Sequence, residues 1–221
     1  MLGPRTRDSG SPGRDCVKKI EAVALRASEI VRLLMASAGA QKSSDALGPL
    51  DLSTEVEQML ELLIVSISKR ASVRTSLAKD LPAVRGNAAQ IHQVVMNLVT
   101  NASEALGGKQ GTITVATDIV HISDGSGNDP FSLQEGGYVR LRVCDTGCGM
   151  TAETRARIFD QFFTTKSAGR GLGLAAVHGI VRSHGGAIYV ESAPDRGSTF
   201  DILLPCMSAA TNRTIGAGSG V

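Results

Sequence analysis

Apolar positions recur along the chain with two periods, and the switches between them lay out the elements. Residues 15–41 carry Val17, Ile20, Ala24, Ala27, Val31, Leu34 and Ala38 at alternating spacings of three and four, widened by Val23, Ile30 and Leu33. This predicts a helix with a heptad seam. Such a face packs either on its own domain or in a dimerisation bundle, and the regular seam favours the bundle. Residues 42–49 are polar and broken by Gly48 and Pro49, so they read as a linker. Residues 50–52 predict a short strand. Thr54 and Glu57 form a capping-box pattern that opens a helix to about Lys69. Residues 72–78 alternate as a strand, and Pro82 and Gly86 bound a turn. Asn87 then caps a long helix running to Leu106, with Ile91, Val94, Val95, Leu98, Ala102, Ala105 and Leu106 on its apolar face.

Residues 112–122 and 138–144 alternate as strands, with a polar loop between them. A helical fragment is predicted near residues 152–159. A helix at 172–183 is stopped by Gly185 and Gly186. Strands at 187–191 and 198–204 complete the pattern. Strands cluster with helices between them but do not alternate strictly. That favours an α+β two-layer sandwich over a doubly wound sheet.

Composition narrows this picture without redrawing it. The chain has 221 residues, 42% hydrophobic and 20% charged, as expected of a globular protein. No stretch approaches the roughly 18 apolar residues of a membrane span. Lys and Arg total 23 against 21 Asp and Glu, with no block of one sign, so no nucleic-acid or anionic-membrane surface is expected. Two Tyr and no Trp also argue against a base-stacking platform. Residues 1–14, rich in Gly, Pro, Ser and Arg, read as a disordered leader and not as a secretion signal. Residues 207–221 read as a disordered tail. Of Cys16, Cys144, Cys148 and Cys206, only Cys144 and Cys148 lie close in sequence. That is too few for a zinc site and is what reduced thiols of a cytoplasmic protein look like.

Four segments carry candidate chemistry. On the helix after Asn87, the residues Gln93, Asn97, Asn101 and Glu104 share one stripe. Carboxamide oxygens suit a magnesium ion already shared with phosphates, although a solvated polar face would look the same. Asp145-Thr146-Gly147-Cys148-Gly149-Met150 follows an apolar strand. A carboxylate there can accept a hydrogen bond from an exocyclic amine, and the glycines admit a flat ring, or the segment is simply a turn. Gly169-Arg170-Gly171-Leu172-Gly173-Leu174 opens a helix, where bare N–H groups and the helix dipole favour an anion. It is neither a Walker A loop nor a dinucleotide fingerprint. Between these lie Phe159, Phe162 and Phe163, three of the five Phe, followed by Lys166, which can reach a terminal phosphate.

Each segment alone is a modest signal. In this order and spacing they resemble the N, glycine and F boxes of the GHKL ATPase and kinase superfamily. The nearest likeness is to the ATP-binding catalytic domain of bacterial sensor histidine kinases, hybrid types in particular. The resemblance spans residues 50–206 and includes His178, His184-Gly185-Gly186 and Gly197-Ser198-Thr199-Phe200. Arg26-Ala27-Ser28-Glu29-Ile30, within residues 15–42, looks like the second helix of that family's dimerisation hairpin.

The resemblance implies a mixed sheet covered on one face by three helices, the Bergerat fold, preceded here by one long helix. It implies that Asp145 binds the adenine amino group, with Gly147 and Gly149 permitting the approach and Thr199 helping through a water. Asn101 would ligate Mg²⁺ with Asn97 beside it. Lys166, Gly169, Gly171, Leu172 and Gly173 would hold the phosphates of ATP, under a lid at about residues 150–170. The implied reaction moves the γ-phosphoryl group to a histidine, in which Asn97 and Lys166 position and neutralise. Hydrolytic relatives carry Glu where Asn97 stands, because they activate water. A kinase is therefore favoured over an ATPase, with a non-catalytic nucleotide-binding module as the alternative. His92, His121, His178 and His184 all lie outside the dimerisation segment. The expected partners are thus a separately supplied His-bearing hairpin, without which the chain is inactive, and a response-regulator receiver domain. Weak self-association through residues 15–41 is also expected.

Overall fold

The computed structural model describes residues 47–207, apart from residues 65–66, 69, 124–132 and 167–170. The expected leader at 1–14, the heptad helix at 15–42, the tail from residue 208 and Gly169 lie outside the described residues. The described elements are β1 (Gly48–Leu50), α1 (Leu52–Leu63), β2 (Ala71–Leu77), β3 (Val84–Gly86), α2 (Ala88–Ala105), β4 (Gly111–Ile122), β5 (Gly136–Asp145), α3 (Ala152–Arg157), α4 (Gly173–Ser183), β6 (Ala187–Ser192) and β7 (Ser198–Pro205).

Five strands form one sheet in the order β2-β4-β5-β7-β6. β2 runs parallel to β4 and the other neighbours are antiparallel, so the sheet is mixed, as expected. The period-2 pattern decides its faces. Val139, Leu141 and Val143 of β5 are buried, as are their register partners Leu204, Ile202 and Phe200 on β7. Arg140 and Arg142 point the other way. Each pairs with the carboxylate directly across from it, Asp118 on β4 and Asp201 on β7. The apolar face is covered by α1, α2 and α4, with α2 packed between the other two. Val94, Val95, Leu98 and Val99 of α2 are each no more than 1% exposed, so this helix forms the middle of the core.

Three local expectations change. The N-cap of α1 is Asp51, whose side chain accepts the Thr54 N–H at 3.1 Å, so Thr54 does not open the helix. Starting at Leu52 lets that side chain bury completely, while the Ser53 hydroxyl bonds Ala78 O at 2.7 Å. The helix stops at Leu63, well before Lys69, and Leu62 and Ile64 on either side of that residue face outward. The strand expected at residues 50–52 lies at Gly48–Leu50. It pairs with β3, inside the segment expected to be only a turn. Strands of three residues carry too little alternation to be recognised from sequence.

Candidate functional site

The carboxyl end of β5, the polar stripe of α2 and the start of α4 come together beside the sheet. Asp145 closes β5 on the helix-covered face and is 4% exposed. Its carboxylate accepts the Gly147 N–H at 2.8 Å. Burial pushes its pKa up. The Gly147 and Ser198 backbone N–H groups act against that shift by favouring the charged form. A buried carboxylate fixed by main-chain donors, with no cation on it among the described residues, suits a neutral hydrogen-bond donor such as an amine.

The segment after Asp145 is moulded onto α2 and onto the β6–β7 turn. Cys148 N–H donates to Ala105 O at 3.0 Å, and Asp195 N–H donates to Cys148 O at 2.7 Å. At Gly147 a Cβ would sit 2.7 Å from the Ala105 backbone. At Gly149, with φ +62°, it would sit 1.9 Å from Ala193 O. What demands glycine at both positions is thus the packing of protein on protein, where the approach of a flat ring had been the expected reason.

Thr199 is the clearest correction. Strand alternation puts it on the face away from Asp145, across from Cys144, and its hydroxyl donates to the Cys144 sulfur at 3.4 Å. The residue across from Asp145 is Ser198, which is 6% exposed and hydrogen-bonded to Ser192 Oγ at 3.0 Å. The signal was legible. Phe200, Ile202 and Leu204 share one face, and only Ser198 falls in phase with them.

On α2 the N-cap is Asn87, as expected, accepting the Gln90 N–H at 3.2 Å. Asn97 faces the first residue of α4, and its Oδ1 lies 3.1 Å from where a Gly173 Cβ would stand. Among the described residues no side chain caps α4, whose first-turn N–H groups have no partner within the helix. Gly171 packs under the backbone of Phe162 and Phe163, and Phe162 N–H donates to Gly171 O at 3.0 Å. Leu172 precedes α4 and is 41% exposed. Of the aromatic residues, Phe159 stacks on His178 at 5.2 Å and Phe163 lies under the Arg157 guanidinium at 4.4 Å. Phe162 does not anchor the segment, being 70% exposed with a left-handed backbone.

Lys166 donates to Asn101 Oδ1 at 2.8 Å and pairs with Glu104 one turn further on. Two hard oxygens of α2 therefore converge on one cation. Hard oxygens of this kind are the donors that magnesium takes. Glu104 lay on the expected stripe but was given no role there.

Residues 86–208 match the family model described as histidine kinase-, DNA gyrase B- and HSP90-like ATPase. The chain belongs to that family. The sensor kinase CckA of Brucella abortus is 34% identical over 199 residues, covering 89% of this chain and 21% of that protein. The catalytic domain of histidine kinase ThkA is 28% identical, with a TM-score of 0.58, over 72% of this chain and 95% of that one. Full-length ShkA, crystallised in complex with AMPPNP, is 25% identical with a TM-score of 0.60, over 86% of this chain and 39% of that one. The α+β fold with its mixed sheet is thus that of histidine kinase catalytic domains. The chain spans about a fifth of CckA's length.

Proposed function

We propose that this chain is the ATP-binding catalytic part of a two-component sensor histidine kinase. It transfers the γ-phosphoryl group of ATP to a histidine supplied by another segment or chain. The observation that carries this reading is the identity of the group facing the start of α4. It is an amide, Asn97, which cannot take a proton from water. Glu104, the carboxylate on the same stripe, lies about two turns further along α2, beside Asn101 and away from the start of α4. An imidazole acceptor is its own nucleophile, so an amide suffices where the protein only positions and neutralises.

In this reading Asp145 and Ser198 take the adenine edge. The first turn of α4, with Gly171 before it, takes the phosphates. Asn101, with Asn97 beside it, would hold magnesium, which when bound neutralises phosphate charge. Lys166 would leave Asn101 and Glu104 for a phosphate oxygen. A response-regulator receiver domain is the proposed downstream partner.

The test is γ-labelled ATP incubated with the chain and a separately made His-bearing dimerisation hairpin. Label appearing on the hairpin histidine is the expected result. Rapid release of inorganic phosphate with no phosphoprotein would overturn it in favour of hydrolysis. Saturable ATP binding with neither outcome would reduce the chain to a nucleotide-binding module.

A further inference from the structure

His184 is buried, 5% exposed, and has been given no role so far. It caps the C-terminal end of α4. Its Nδ1 lies 2.8 Å from Ile180 O, one turn back on its own helix. Its Nε2 accepts the backbone N–H of Asn87, the N-cap of α2, at 3.2 Å. Those partners settle the tautomer. A carbonyl only accepts and an amide N–H only donates, so the proton sits on Nδ1 and Nε2 is a bare acceptor. The ring also lies against Gly86, whose Cβ would meet its Cδ2 at 3.4 Å.

This contact sits at the far end of a helix pair whose near end is the candidate site. Asn87 meets His184, and Asn97 meets Gly173, so α2 and α4 run antiparallel. The 11 residues of α4 span about 16 Å at roughly 1.5 Å per residue. The ten steps from Asn87 to Asn97 span about 15 Å by the same rise. The two paths match to about one residue, so a directional bond at one end is placed to fix the axial register at the other.

We propose that His184 is a positioning residue for phosphate binding. It pins the axial register of α4 against α2, and so fixes the N–H groups at the start of α4 relative to Asn97 and Asn101. The proposal rests on the nucleotide reading of the site. A slip of one residue moves those donors by about 1.5 Å, enough to spoil phosphate hydrogen bonds while leaving the Asp145 end untouched.

The experiment measures binding of ATP with magnesium, and of adenosine, to wild type, His184→Gln, His184→Asn and His184→Leu, at a temperature where each is folded. A Gln amide can keep the acceptor for Asn87. Asn keeps only the reach of Nδ1, and Leu keeps neither. The expected result is near wild-type ATP affinity for Gln and about tenfold weaker ATP binding for Leu and Asn, with adenosine affinity unchanged throughout. ATP affinity unchanged in Leu overturns the proposal. So does a parallel loss of ATP and adenosine, which marks general damage. If Leu does not fold, equal ATP affinity in Gln and Asn overturns it just as well. A wild type that binds no ATP removes the nucleotide reading and the pin together. A wild type that binds normally beside an unaffected Leu variant removes the pin alone.

Discussion

At the scale of single residues, Asp145 shows most directly how burial and function pull against each other. Because burial raises its pKa, the folded protein holds the Asp145 proton more tightly than the unfolded chain does. Its contribution to wild-type stability therefore falls as pH climbs from the ordinary carboxylate value of 3.8 through the raised one, and is level above it. Asp145→Asn removes that segment of the curve. Thermal melts should show the variant gaining on wild type across that window and keeping a constant difference from it beyond. The same variant should lose ATP binding in titrations, because the one amide oxygen is taken by the Gly147 N–H and the amide NH2 then meets the adenine amine donor to donor. Gly149 makes a contrasting case. Gly149→Ala places a methyl group against Ala193 O on a left-handed backbone. It should cost at least about 2 kcal/mol in denaturant unfolding. Some of this was readable beforehand: Asp145 at a strand end, the amides on one stripe, glycine before a helix. The choice of Thr199 over Ser198 shows where motif position was followed and strand phase was not. The reasons for Gly147 and Gly149 were not readable at all, since Ala105 and Ala193 reach them only through tertiary packing.

At the scale of elements, α2 determines the most. Its one stretch supplies the core's centre, the site's amides and, at Asn87, a cap whose side chain and main chain both bond. The side-chain part can be isolated. Asn87→Ala leaves the N–H donated to His184 and removes only the acceptor for Gln90 N–H. It should lower stability by about 1 kcal/mol, seen as a lower denaturant midpoint with an unchanged slope. α2 was legible from its cap and its apolar period, because both signals lie within the helix. The start of α1 was not. Asp51 and Thr54 both fit the cap position, and only the depth of Leu52 in the core chooses between them. β1 and β3 lie at the limit of any local pattern and exist through each other.

At the scale of the whole molecule, the described fold closes on itself. β7 ends in a bridge between Cys206 and Val84, and Met207 N–H donates to Ala83 O at 2.8 Å. The last strand is thus stitched to the β1–β3 ribbon that precedes α2. The compact unit that contains all these elements begins at Ala46. A fragment of residues 46–221 should therefore unfold in a single cooperative step and bind ATP as tightly as the full chain. Multiphasic unfolding, or a large loss of affinity, would show that residues before Ala46 complete the fold or the site. Phosphotransfer is a separate matter and depends on where the acceptor imidazole comes from.

The hydrogen bond from Cys148 to the last turn of α2 has one more consequence. It fastens the turn that follows Asp145 to the helix that carries Asn97 and Asn101. The Asp145 carboxylate and the α2 amides are thereby held at a fixed spacing, against which a bound nucleotide would be measured from its base to its metal.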